Sequence, residues 1–190
     1  MRVVETPALT LEPQTTAHAE AMFAVPRDPA LYEFEQSPPP SLEWLRARFE
    51  RLESRRSPDG GEQWLNWVIR LPTREPIGYV QATVDSEHRA AIAYVLSSAH
   101  WGRGLARRAV EAMIAELVAH HGVRRVSAVL KRENHRSLRL LERLGFATAS
   151  DQEISEVHIE SDEVLRCRVP EQRAGAPRID QRSTSRDRAP

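Results

Sequence analysis

The chain has 190 residues, 27 Lys plus Arg against 27 Asp plus Glu, and a single cysteine, Cys167. A neutral balance gives it no bulk electrostatic reason to seek nucleic acid or an anionic membrane, and one cysteine excludes an intrachain disulfide or a thiolate metal cluster. No apolar run of signal-peptide or membrane-spanning length is present, so the expected compartment is the cytoplasm.

In chain order, Leu9 to Glu12 alternates as a strand, and Ala17, Ala21, Met22 and Val25 recur at helical spacing up to Pro26 and Asp28-Pro29. Ser37-Pro38-Pro39-Pro40 cannot continue a helix, and Ser41 reads as the N-cap of a second one with Leu42, Leu45, Phe49 and Leu52 on its apolar face. Trp64 to Leu71 and Ile77 to Asp85, rich in β-branched and aromatic residues, form a hairpin, and Ala90 to Leu96 follows as a third strand. A long helix begins near Gly104, its buried stripe Ala106, Ala109, Val110, Met113, Ile114, Leu117 and Val118. His120 and His121 read as its solvated end. Arg125 to Leu130 is a strand reached through that helix, so it should run parallel to Ala90–Leu96. Ser137 to Leu144 is a last helix burying Leu138, Leu141 and Leu144, with Gly145 as its stop. Phe146 onward and Glu163 to Val169 read as strands, with Ser150 to Asp162 as a partner strand plus a turn. Cys167 then sits in a strand as a small hydrophobe. The expected domain is 1–169, and the polar stretch 170–190 reads as a disordered tail.

Trp101-Gly102-Arg103-Gly104-Leu105-Ala106 lies between a strand and a helix. Glycines lacking a Cβ let backbone turn tightly and aim several N–H groups at one guest. The helix adds unpaired N–H groups and the positive end of its dipole, and Arg103, Arg107 and Arg108 add charge, which suits a pyrophosphate. From Ala99 to Phe146 there are ten basic side chains against four acidic, a net of 10 − 4 = +6. By itself a Gly-x-Gly turn is more often plain structure. Downstream, however, come Asn134-His135-Arg136-Ser137 and then Gly145-Phe146.

These motifs in this order resemble the GNAT superfamily of acyl-CoA-dependent N-acetyltransferases, whose signature is Gln/Arg-x-x-Gly-x-Gly/Ala, then Asn-x-x-Ser/Ala and a later Gly-Phe. Trp101 in the first position is similar to the branch containing the ribosomal-protein N-terminal acetyltransferases. The resemblance is strongest from Ile77 to Phe146. It implies a mixed α/β fold: a mostly antiparallel central sheet with helices on both faces and a splayed parallel strand pair that admits acetyl-CoA. The residues implied to hold the cofactor are Val95, Leu96 and Ser97 on the first of those strands, Gly102, Arg103, Gly104, Leu105, Ala106 and Arg107 around the diphosphate, and Asn134 beside the arm. No metal is implied.

Acetyl transfer from a thioester to an amine needs a neutral amine, a donor for the oxyanion and a proton for the thiolate, so positioning supplies much of the rate. Many relatives place a Tyr seven residues after the motif Asn, where this chain has Leu141. Attention therefore moves to Ser137 as the acid, set against the plain reading of a Ser bonding backbone in a first helical turn. Asp85, Glu87, His88, Glu33, Glu35 and Tyr94 are within reach of the argument as proton acceptors, and none is singled out. The expected activity is N-acetylation of a primary amine, on a peptide N-terminus or a small molecule, by a monomer or homodimer. The alternative is a CoA-binding module without turnover. Nucleic-acid binding is disfavoured because aromatics are not interleaved with the arginines as stacking platforms.

Overall fold

The computed structural model describes residues 1–25, 29–34 and 38–171. Asp28, Ser37, Glu35 and the stretch 172–190, on which four sequence expectations fall, lie outside them.

One eight-stranded sheet organises the chain, in the order β1-β2-β3-β4-β5-β6-β8-β7. Its strands are β1 (Val4–Glu5), β2 (Thr10–Pro13), β3 (Gln63–Arg70), β4 (Pro76–Val84), β5 (Arg89–Leu96), β6 (Arg125–Lys131), β7 (Ala147–Thr148) and β8 (Glu163–Arg168). All neighbours are antiparallel except β5 and β6. The expected mixed, mostly antiparallel sheet with one parallel pair is therefore present.

Two helices, α1 (Ala19–Phe23) and α2 (Leu42–Leu52), pack together over one face, where Ala19, Met22, Val25, Leu45 and Phe49 meet Val68. Ser41 caps α2 as its sequence suggests, accepting from the Trp44 N–H at 3.1 Å. The helix α3 (Leu105–His121) covers the other face with Ala109, Val110, Met113, Ile114 and Leu117 against Leu65, Trp67, Ile69, Val80 and Val84. Leu141, Leu144 and Phe146, from α4 (His135–Arg143) and the turn after it, join that second cluster. Alternation along β3 sends Leu65, Trp67 and Ile69 to one cluster and Val68 to the other, which is why the strand is buried on both faces. No helix among the described residues is long and apolar enough to cross a membrane.

Two local expectations are corrected. Ser150 to Asp162 is not a strand: it holds a short helix, α5 (Asp151–Ser155), closed by a capping box in which Ser150 and Glu153 bond each other's backbone N–H. Strand β8 enters between β6 and β7, leaving β7 as the edge. Of the expected solvated end, His120 is exposed but His121 is not. His120 pairs with the buried Glu116 at 3.0 Å, and half-buried His121 meets Gln63 Oε1 at 3.1 Å, so α3 is tied to the start of β3. Burial pushes the His121 imidazole below its usual range.

Cys167 is half-buried on β8, and burial, with the neighbouring Glu153 carboxylate, pushes its thiol up to about 11. It stays neutral and packs. Glu153 accepts from the Ser150 N–H and hydroxyl, from Cys167 and from Arg125, which together hold its carboxyl at about 2. The folded pKa is depressed, so this stabilisation is complete above the unfolded value of 4.5 and drains away as pH falls towards 2. Glu153→Gln is expected to lower Tm at neutral pH by roughly 2–4 °C and to flatten the acid limb of stability across that window. A melting curve against pH that keeps its acid limb would show that the carboxylate is not the group responsible.

Candidate active site

The parallel pair β5 and β6 is joined only at Arg89–Arg125, Ala90–Val126 and Ala91–Ser127. Beyond Ala91 the strands separate: β5 continues beside β4 to Leu96, while β6 stays paired with β8 from Val126–Arg168 to Lys131–Glu163. A sheet divided this way leaves backbone groups along the gap without a ladder partner on that side, which is a place for a polar, extended guest.

Two cavities meet at the gap. One, of about 1150 Å³, lies between the sheet, α2 and the residues before β8. The other, of about 330 Å³, lies between the glycine loop and α4. Both are lined by Leu31, Phe34, Tyr94, Val95, Asn134 and Ser137, so those six mark the junction.

The smaller cavity has the chemistry of a phosphate site. Gly102 and Gly104 take φ of 78° and 72°, and a Cβ built on either meets nothing within 4 Å, so the loop presents open backbone. Gly104 is the N-cap of α3. Arg107, Arg136, Arg139 and Arg143 line the cavity, and no carboxylate does among the described residues. A diphosphate placed there meets unpaired helix N–H groups and cations alone, so the residues present fit CoA.

Of the residues expected to hold cofactor, Val95, Leu96, Gly102, Gly104, Leu105, Ala106, Arg107 and Asn134 line this cavity. Two do not. Arg103 is exposed on the loop and off the lining. Ser97 lies outside it, its N–H donated to Ile77 O at 2.8 Å and its carbonyl accepting from the His100 N–H at 3.0 Å. Ser137 is half-buried at the junction, its backbone N–H donated to Asn134 Oδ1 at 3.1 Å. Asn134 therefore caps α4 and lines the cavity at once. Leu141, in the position where relatives carry Tyr, is buried and offers no proton.

Of the proton acceptors weighed from sequence, Tyr94 lies at the junction, and the other described ones are not at the gap. Asp85, Glu87 and His88 sit in the turn before β5, at the far end of a strand of about 23 Å, and Asp85 is held by Arg89 at 2.8 Å. Glu33 is exposed and off both linings. Glu160, Asp162 and Glu163, at the approach to β8, line the large cavity instead. The Glu160 N–H and Lys131 hold the Glu163 carboxyl below its usual range.

Three further contributions were not legible as site residues. Trp101 donates its indole N–H to Leu96 O at 2.7 Å, fixing the glycine loop to the end of β5. The guanidinium of Arg136 lies over that indole, 3.5 Å from its centroid, and links α4 to the same point. Gly78, facing Leu96 across β4 and β5, leaves room for the Val95 carbonyl, which would stand 2.1 Å from a Cβ there.

Gly104→Val forces a β-branched residue into positive φ at the mouth of α3, a conformational and not a steric penalty. Acetyl-CoA affinity measured by calorimetry should fall about 10-fold or more. Arg103→Ala should change it far less, and equal losses for the two variants would contradict this geometry.

The family model described as an acetyltransferase (GNAT) domain matches residues 8–147. A curated relative from Bacillus subtilis, the uncharacterized N-acetyltransferase YoaA, is 27% identical over 147 residues, 76% of this chain and 82% of its own length. The fold matches RimL, a ribosomal L7/L12 alpha-N-protein acetyltransferase in complex with coenzyme A, with a TM-score of 0.74 at 15% identity over 88% of this chain and 98% of that one. It also matches a ribosomal-protein-S5-alanine acetyltransferase from Vibrio fischeri, with a TM-score of 0.72 at 18% identity over 93% and 100% of the two chains. With the divided sheet, the glycine loop and a family match over most of the chain, this protein belongs to the GNAT family and is an acyl-CoA N-acetyltransferase.

Proposed function

We propose that the chain transfers an acetyl group from acetyl-CoA to a primary amine by direct attack, with CoA in the smaller cavity and the acceptor in the larger. The observation that carries this reading is the junction: Val95, Asn134 and Ser137 line both cavities, so a substrate in each would meet the other beside the Ser137 hydroxyl.

Arg107, Arg136, Arg139 and Arg143 bind and orient the diphosphate, and the backbone of Val95 and Leu96 lies along the arm. The amine nitrogen forms its bond to the acetyl carbon, the carbon–sulfur bond breaks, the amine gives up a proton to water, and the Ser137 hydroxyl passes one to the departing thiolate as it takes one back from solvent, so the serine ends neutral. Holding the reactants at one junction accounts for much of the rate. Peptide N-termini and small-molecule amines are both acceptor classes for this site, the former favoured by what the fold relatives act on. Titrating free thiol from acetyl-CoA across an amine panel tests the reading. Release that depends on the amine supports it, whereas tight CoA binding with no amine-dependent release replaces it with a binding module.

A further inference from the structure

The large cavity has a neutral floor and a charged mouth. Lys131, His158, Glu160 and Asp162 stand towards solvent, the two carboxylates 64% and 66% exposed. Deep inside, the polar groups are carboxamides and the buried phenol oxygens of Tyr32 and Tyr94. Gln14 and Asn66 are 4% and 5% exposed, Gln81 is half-buried, and all three line this cavity.

They form a row across the sheet. The Gln14 N–H donates to Asn66 O at 2.9 Å, Asn66 faces Gln81 across β3 and β4, and Gln81 faces Ala93 on β5, one residue from the junction at Tyr94. Successive members are therefore about 5 Å apart. The main chain of Gln14 is pinned on both sides, because Arg55 also donates to its carbonyl. Its side-chain Nε2 is buried and has no hydrogen-bond partner among the described residues. A buried donor left unmet is costly, and a partner at that nitrogen would remove the cost.

Resting on the acetyl-transfer reading above, we propose that Gln14, Asn66 and Gln81 form a recognition site for a neutral amide group on the acceptor, a few bonds from the nitrogen that is acetylated. A carboxamide offers both a donor and an acceptor, the complement of an amide's carbonyl and N–H. Among the described residues no carboxylate stands beside Gln14, Asn66 and Gln81 to pair a second ammonium, and the Arg55 guanidinium there is engaged by the Gln14 carbonyl, so an uncharged group suits this floor. Position in the row fixes the separation: Gln81 lies one strand spacing from the β5 backbone where the amine is presented.

The test compares L-alaninamide with 3-methyl-2-butylamine, which replaces the carboxamide by an isopropyl group of similar shape. Steady-state kinetics with saturating acetyl-CoA are measured for the parent, Gln14→Leu and Gln81→Leu, with melting temperature and acetyl-CoA affinity as folding controls. For L-alaninamide, each variant should raise KM about 10-fold with kcat within about twofold, the loss of one buried hydrogen bond. For the alkylamine both parameters should stay within about twofold of the parent. Expressing each result as variant over parent cancels the different basicity of the two amines. Equal losses for the two amines, or none for either, would overturn the amide site and leave acetyl transfer intact. A parent that releases thiol with neither amine, nor with any of the panel, overturns the acetyl-transfer reading and the amide site with it. Should Gln14→Leu fail to fold, the half-buried Gln81→Leu decides on the same readout.

Discussion

Ser137→Ala is expected to lower kcat and kcat/KM together by about 10²- to 10⁴-fold while acetyl-CoA affinity stays unchanged, because a proton donor to the leaving thiolate acts only in the transition state. The geometry makes this substitution unusually clean. The cap of α4 uses the backbone N–H of Ser137, donated to Asn134 Oδ1, and that bond survives in the alanine variant. Loss of the hydroxyl should therefore leave Tm almost unmoved. Leu141 cannot take over, being buried and without a proton to give. Turnover within a few-fold of the parent would remove Ser137 from the chemistry and leave solvent as the proton source.

Gly78→Val should abolish acetyl-CoA binding and destabilise the domain by about 1–3 kcal/mol, the range for a forced insertion into packed structure. A Cβ on this glycine would meet the Val95 carbonyl oxygen at 2.1 Å and the Leu96 Cα at 2.9 Å, both main-chain atoms that cannot turn aside as a side chain does. Relief requires β4 and β5 to part at the Gly78–Leu96 pair, the very stretch of β5 that faces the smaller cavity. Gly78→Ala carries the same Cβ and should show most of the effect. Denaturant unfolding and calorimetry on the alanine variant check it: stability and affinity both within twofold of the parent would mean that β5 tolerates displacement there.

Much of this was legible in the chain because its signals are local. Gly102, Gly104 and the arginines around them sit side by side in sequence, and Asn134 precedes its helix with the spacing of a cap, so the cofactor side could be read from short windows. The floor of the acceptor cavity could not. Gln14, Asn66 and Gln81 come from three strands or their ends, and only the pairing of β2, β3 and β4 brings them together. Gly78 was silent for a similar reason, since a glycine in a strand shows its purpose only when the facing carbonyl is placed. The misreading of Ser150 to Asp162 was avoidable: Ser150 and Glu153 carry the spacing of a capping box, a helix signal even when the helix is short. The half-burial of His121 was not legible because Gln63, which engages it, lies on another element.

The three-pair seam between β5 and β6 also bears on how this protein stays separate from its neighbours in a crowded cell. A strand edge with unmet backbone groups invites pairing with any other chain, and most proteins protect such edges at the periphery with charge or short length. Here the two edges that the chemistry requires face each other across a narrow internal gap, with α2 and α4 flanking it. The outermost strands among the described residues, β1 and β7, have two residues each. An opening in the middle of the sheet thus provides adhesive backbone to a guest that enters the gap without placing it on the outer margin of the sheet.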